Sequence, residues 1–280
     1  MQIAKLACRS PALQSHMFST QLSTVPHPQL GKPCTSPPRL LVSVRSASEA
    51  TLAKSLGVEW IDLKNPDAGS LGAADALVAQ EVAKVLKLES SSPVQLSSAA
   101  AGELGHDPLV AGLMLSRYFP LVKVGLAELA GTMDWQTKLR TFSQQLSGAG
   151  SQIVPVIYAD YRHCSAPSPQ DVLSAAASLE PSCNLVSSKA RYILVDTHTK
   201  DGRRLLDCLT QAELASIVQD AVMIGRQVVL AGSLALSDLP SLLKLPVAAI
   251  AVRGAVCEGD RRSELSPRKV RQWLELVQKQ

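Results

Sequence analysis

From position 39 onward the chain alternates two hydrophobic rhythms. Short β-branched apolar runs end in polar or glycine residues, and each is followed by a longer stretch with apolar positions at helical spacing. The runs are LLVSV (40–44), WIDLK (60–64), VQLSSA (94–99), LVKVGL (121–126), QIVPVIYA (152–159), RYILVD (191–196), QVVLAG (227–232) and AAIAVRG (248–254). The stretches between them predict helices over 46–57, 74–88, 107–118, 133–148, 168–180, 210–225 and 236–244, with a last one over 266–278. Ser48 is the expected N-cap of the first helix and Gly57 its C-terminal stop, and Pro267 sits in the first turn of the last. Eight strand–helix units in one domain-sized length predict an α/β fold, a single closed parallel (β/α)8 barrel of the TIM type. An open doubly wound sheet is the alternative, and eight full units fit closure better. Pro155, inside the fifth run, argues against a central strand there, because proline removes a ladder donor.

Residues 1–38 do not join this pattern. Through position 39 the chain has six prolines and no acid, with Lys5, Arg9, Lys32 and Arg39 as its basic residues. The segment suits an organellar transit peptide, a disordered extension or a start codon assigned upstream, and is set aside from the fold. The barrel domain is therefore expected over 39–280.

The composition, 46% hydrophobic but only 4% aromatic, suits helices packed on buried parallel strands better than an aromatic-rich sandwich. The net charge of +4 belongs to the first 39 residues; the other 241 carry 24 basic and 24 acidic side chains, which excludes a nucleic-acid binder by charge. The six cysteines (Cys8, Cys34, Cys164, Cys183, Cys208, Cys257) show no CxxC and no regular spacing, so reduced thiols in a cytoplasmic protein are expected. No apolar run is long enough to span a bilayer.

Period-two alternation puts Asp62 and Lys64 on one strand face and Ile61 and Leu63 on the other, toward the helices. The polar pair then faces the lumen near the C-terminal mouth, where this fold keeps its chemistry. Lys123 between Val122 and Val124, Asp196 with Lys200 after the sixth run, and Asp160 after the fifth converge on the same mouth. Each charge alone can be read as closing a salt bridge that fills the lumen. Several together are costly to enclose, and apolar residues would serve stability better. An amine whose pKa is lowered by burial or by neighbouring cations is a nucleophile toward carbonyls, and the imine it forms is an electron sink. No GxSxG and no HExxH occurs, and neither a metal nor a cofactor is expected. His106, His163 and His198 read as isolated loop histidines, His198 least so because it lies between Asp196 and Lys200.

The last two runs end in LAGSL and VRGAVCEGD. Small residues there (Gly232, Ser233, Gly254, Ala255) let backbone N–H groups approach an anion, at the loops where this fold commonly binds phosphate.

The segments LLVSVRSASEA, IDLKNPDAGSLGA, LVKVGL, LVDTHTKDG, LAGSL and VRGAVC resemble, in order and spacing, the (5-formylfuran-3-yl)methyl phosphate synthase family. Its members are also called 4-(hydroxymethyl)-2-furancarboxaldehyde-phosphate synthases. The resemblance covers residues 39–280. It implies a Schiff-base lyase that condenses two glyceraldehyde 3-phosphate molecules, with loss of water and one phosphate, in methanofuran-type cofactor biosynthesis. On that resemblance Lys64 matches the Schiff-base lysine and Lys123 the proton acceptor, while Asp62, Asp196 and Lys200 match supporting positions. The N-terminal 38 residues have no counterpart, EGDRRSEL after Cys257 is shorter than the glycine-rich turn of the family, and His198 falls at a variable position.

Two other readings compete. Asp62-x-Lys64-x-x-Asp67 fits the D-x-K-x-x-D pattern of phosphate-binding-barrel decarboxylases, or an aldolase using the same motif. A phosphate sensor on a degenerate barrel is the non-enzymatic alternative. The expected partner is a small phosphorylated aldehyde, with no nucleic acid or membrane, and self-association is left open.

Overall fold

A computed structural model describes residues 37–87, 96–179 and 190–278. Eight parallel strands close into a barrel in chain order, with β8 paired to β1. They are β1 Arg39–Val44, β2 Trp60–Leu63, β3 Leu96–Glu103, β4 Leu121–Gly125, β5 Gln152–Tyr158, β6 Arg191–Asp196, β7 Arg226–Leu230 and β8 Ala249–Val252. The helices that cover them are α1 Ala47–Ser55, α2 Ala76–Lys87, α3 Leu109–Ser116, α4 Trp135–Gly148, α5 Pro169–Ala177, α6 Leu205–Cys208, α7 Gln211–Met223, α8 Leu239–Leu242 and α9 Pro267–Gln278. This is the (β/α)8 architecture expected from the alternating pattern. Residues 1–36 of the transit or disordered segment expected over 1–38, the start of the third run, and Cys8, Cys34 and Cys183 lie outside the described residues.

Alternation along each strand splits the core in two. Outward residues such as Val42, Ile61, Leu63, Val122 and Ile193 pack with helix residues such as Leu139, Val218 and Trp273. Inward residues, among them Leu41, Trp60, Val154, Tyr192 and Val229, fill the lumen. Trp60 and Tyr192 meet edge to face across it, with ring centroids 4.8 Å apart. That contact plugs the barrel one layer below Asp62 and two below Lys64, so the polar layers rest on an apolar floor.

Some boundaries differ from the sequence pattern, each for a local reason. Ser46, not Ser48, caps α1: its backbone is extended and its Oγ accepts from the Glu49 N–H at 3.3 Å. Ser48 lies inside the helix, and its Oγ shares a hydrogen bond with that of Ser46. The helix expected over 236–244 divides into a 3-10 turn, Leu236–Asp238, and the short α8, with Pro240 in its first turn. Pro155 does sit in a central strand. The strand β5 pairs with β4 over Gln152–Pro155 and with β6 over Val156–Tyr158. The residue lacking an N–H thus ends one paired run and precedes the other. Among the described residues no helix is long and apolar enough to cross a membrane.

Candidate active site

Strand register builds the site layer by layer. Ser43 of β1, Asp62 of β2 and Ser98 of β3 stand side by side on the inward face. Asp62 is fully buried. Its Oδ2 accepts from Ser43 Oγ at 2.9 Å and from Lys123 Nζ at 2.5 Å, and its Oδ1 from Ser98 Oγ at 2.7 Å. Ser98 is itself fixed by the Trp60 indole, whose Nε1–H donates to its Oγ at 3.0 Å. Three donors on one carboxylate keep a buried charge in place, so Asp62 holds Lys123 at a fixed point on the wall.

A second ion pair lies at the end of β6. Lys200 Nζ donates to Asp196 Oδ1 at 3.0 Å, to the Thr197 carbonyl at 2.6 Å and to Thr197 Oγ1 at 3.1 Å. Burial alone would raise the Asp196 carboxyl, but Lys200, Lys64 and the Thr197 N–H together outweigh it and hold the group below its ordinary value.

Lys64 stands between these pairs. Its backbone N–H still donates to Val44 O at 3.0 Å, which continues the β1–β2 register and fixes the side chain inward. Among the described residues its Nζ has no hydrogen-bond acceptor. Burial is the main reason its pKa falls from 10.5 to about 7; Lys123 and Lys200 lower it further, while Asp196 and Asp62 oppose them. The amine is therefore half neutral near neutral pH, the state that attacks a carbonyl. Desolvation contributes more to this than the neighbouring cations do.

A cavity of about 310 Å³ opens above these groups. Lys64, Lys123, Asp196 and Lys200 line one side, and Gly232, Ser233, Gly254 and Ala255 the other. Of the residues expected at the site, Asp62 lies behind the wall, paired with Lys123, and Asp160 is turned away from it. Gly232 (φ 104°) and Ser233 (φ 51°) both take left-handed backbone conformations, which turn the chain sharply at the mouth. A Cβ on Gly232 would also crowd Leu205 and Thr197.

Other charges go elsewhere. Asp160 does not join the mouth: its two oxygens accept from the His198 and Thr199 N–H groups at 2.7 and 2.8 Å, shaping the loop after β6. Asp67 is exposed and pairs with Arg262 at 3.1 Å, outside the cavity, so the second carboxylate of the D-x-K-x-x-D reading is missing from it. His106 is exposed beside Glu128, and His163 lies against Arg203. His198 packs edge to face on Tyr158, near Glu103.

Several further residues contribute. Ser43 and Ser98 are polar residues in apolar strands at Asp62's phase, a signal the alternation rule could have supplied. Tyr158 OH donates to Glu103 Oε1 at 2.5 Å, and Gly125 leaves the space where they meet, since a Cβ there would collide with both. Arg261, from the segment after Cys257, also lines the cavity.

The 4-HFC-P synthase family model matches residues 40–274. A (5-formylfuran-3-yl)methyl phosphate synthase of Methanopyrus kandleri is 34% identical over 234 residues, covering 80% of this chain and 92% of the relative. One of Archaeoglobus fulgidus is 30% identical over 245 residues, covering 85% of this chain and 99% of the relative. Solved structures share the fold at lower identity. Phosphoribosyl anthranilate isomerase from Thermus thermophilus superposes with a TM-score of 0.54 at 15% identity, over 85% of this chain and 98% of that one. KGPDC from Streptococcus mutans gives 0.52 at 14% identity, over 86% and 98%.

Proposed function

We propose, since the chain belongs to the 4-HFC-P synthase family, that it condenses two molecules of glyceraldehyde 3-phosphate into (5-formylfuran-3-yl)methyl phosphate through an imine on Lys64. The atoms balance when one phosphate and two waters leave, and the broken bond to phosphate makes the enzyme a carbon–oxygen lyase. Lys64 Nζ attacks the aldehyde carbon of one triose phosphate, and water departs as the C=N bond forms. The protonated imine acidifies the adjoining carbon, whose proton passes to Lys123 as Lys123 hands one of its own to Asp62 across their hydrogen bond. The enamine left behind expels phosphate from the next carbon, and the electron pair leaves with the phosphate oxygen. Asp62 positions Lys123, while Asp196 and Lys200 flank the imine and serve the later proton transfers. The turns at Gly232–Ser233 and Gly254–Ala255 hold a phosphate by their backbone N–H groups. One observation carries this reading. Lys64 is a buried amine with no acceptor among the described residues, its pKa brought down to about 7, at the floor of a cavity ringed by two ion pairs.

Borohydride reduction in the presence of glyceraldehyde 3-phosphate tests it, with mass spectrometry locating the adduct. Wild-type protein is expected to carry it on Lys64. Lys64→Arg keeps the charge and loses the nucleophile, so trapping and turnover should both vanish while the fold persists. Lys123→Met should lower turnover by about two to four orders of magnitude, the usual yield of a positioned proton carrier. Trapping on Lys64 should survive there, with a pH optimum moved upward, because a neighbouring cation has gone and Asp62 has lost its partner. Adduct on Lys123 in place of Lys64 would reverse the two roles.

A further inference from the structure

The cavity contains two arginines, Arg253 and Arg261, and the chain uses them differently. Arg253 is buried, and its five N–H donors are all spent on the protein itself. Its Nη1 donates to Ser43 O at 3.0 Å and Glu49 Oε2 at 2.5 Å, and its Nη2 to Glu49 Oε1 at 3.1 Å and Ser263 O at 3.1 Å. Its Nε donates to the Arg261 carbonyl at 2.8 Å. No donor of Arg253 remains for a ligand. What it does is pin the backbone of the loop after β8, including that of Arg261.

Arg261 is the opposite case. A guanidinium has five donors in a planar fork. Among the described residues the side chain of Arg261 has one acceptor, the Gly69 carbonyl at 2.8 Å, on the loop that follows Lys64. The remaining donors stand beside the cavity that Gly232, Ser233, Gly254 and Ala255 line. The other cations nearby are engaged: Lys123 on Asp62, Lys200 on Asp196, and Arg262 outside on Asp67.

We infer that Arg261 is a substrate-binding residue, whose guanidinium forks onto the oxygens of a phosphate monoester seated on the β7 and β8 turns. The inference rests on the proposed reading of this cavity as a phosphate-ester site. It gives the exposed backbone cup a positively charged side-chain partner, and bidentate geometry is what a guanidinium offers that a lysine does not. Because the same side chain holds Gly69, an occupied cup also ties the loop after β8 to the loop after β2, over Lys64.

Glycerol 3-phosphate, which has no carbonyl and cannot form an imine, separates binding from chemistry. Calorimetric titration of the full chain should show Arg261→Ala weakening its affinity by roughly 10- to 100-fold, the range of a lost charged hydrogen-bond pair. Arg261→Lys should recover part of the loss. Borohydride trapping of unphosphorylated glyceraldehyde on Lys64 should fall far less in Arg261→Ala than trapping of glyceraldehyde 3-phosphate does, which a merely structural role would not predict. Affinity for glycerol 3-phosphate within about twofold of wild type would overturn the assignment, as would equal loss of glyceraldehyde trapping. Absence of glyceraldehyde trapping in the wild type, with the affinity loss intact, would strike the imine reading and leave Arg261 in its role.

Discussion

On the proposed imine reading, Lys64 is the residue where function and stability pull apart. Its folded pKa of about 7 lies below its ordinary 10.5, so between those values the unfolded chain binds the proton that the folded chain has lost. Wild-type stability must therefore rise with pH across that window, and the full cost of the amine is felt below it. Lys64→Met removes the cost. The variant is expected to be more stable than wild type by on the order of 3–5 kcal/mol below the window, with the gain fading as pH approaches 10.5. Thermal midpoints of both proteins from pH 6 to 10 check it; a gain that grows with pH would contradict the assignment. The same residue was readable from sequence, because a charge inside a β-branched run at the mouth end of a strand does nothing for packing and must be there for chemistry or pairing. Arg261 was not readable. It adjoins Arg262 in a polar loop without periodicity, and only the folded chain turns one inward and pairs the other with Asp67. Asp160 failed for a related reason: a strand-end position says that a carboxylate is near the mouth, not which backbone amides it will bind.

At the scale of elements, strands and helices were legible wherever the period ran for two turns or four strand residues. The four-residue α6 is too short to show a period, and the split near Pro240 hides within one continuous apolar stretch. The contact between Glu49 on α1 and Arg253 after β8 could not be read at all, since a buried pair 204 positions apart leaves no local mark. Both side chains are buried, and Glu49 also accepts from the Arg45 N–H at 2.9 Å. Glu49→Gln leaves the guanidinium charge uncompensated, which costs about 3–5 kcal/mol for a buried pair. For a domain of this size that is a fall in thermal midpoint of roughly 10 °C. Because Arg253 pins the Arg261 backbone, KM should rise in the same variant more than kcat falls. Calorimetry with steady-state kinetics measures both, and an unchanged midpoint would mean the pair is not formed.

Over the whole molecule, closure was legible from the count of units, but the seam that closes it was not. The strand β1 begins at Arg39 and is paired on both sides, with β2 and β8, from within the described residues. A chain starting at Pro38 is accordingly expected to keep its thermal midpoint and turnover, and a large loss in either measurement would show that the preceding residues dock on the barrel. The seam has one more consequence. Synthesis runs from one end, and β1, β2 and Lys64 leave the ribosome well before Arg253 does. Until β8 emerges, Glu49 lacks the Arg253 guanidinium and has only that of Arg45, the first strand has an open edge, and the loop after Lys64 lacks its tie to Arg261. A partly made chain thus carries the reactive amine without the walls that dehydrate it, so the amine keeps its proton. On the imine reading, the nascent chain is expected to be chemically silent toward aldehydes until its last strand is in place.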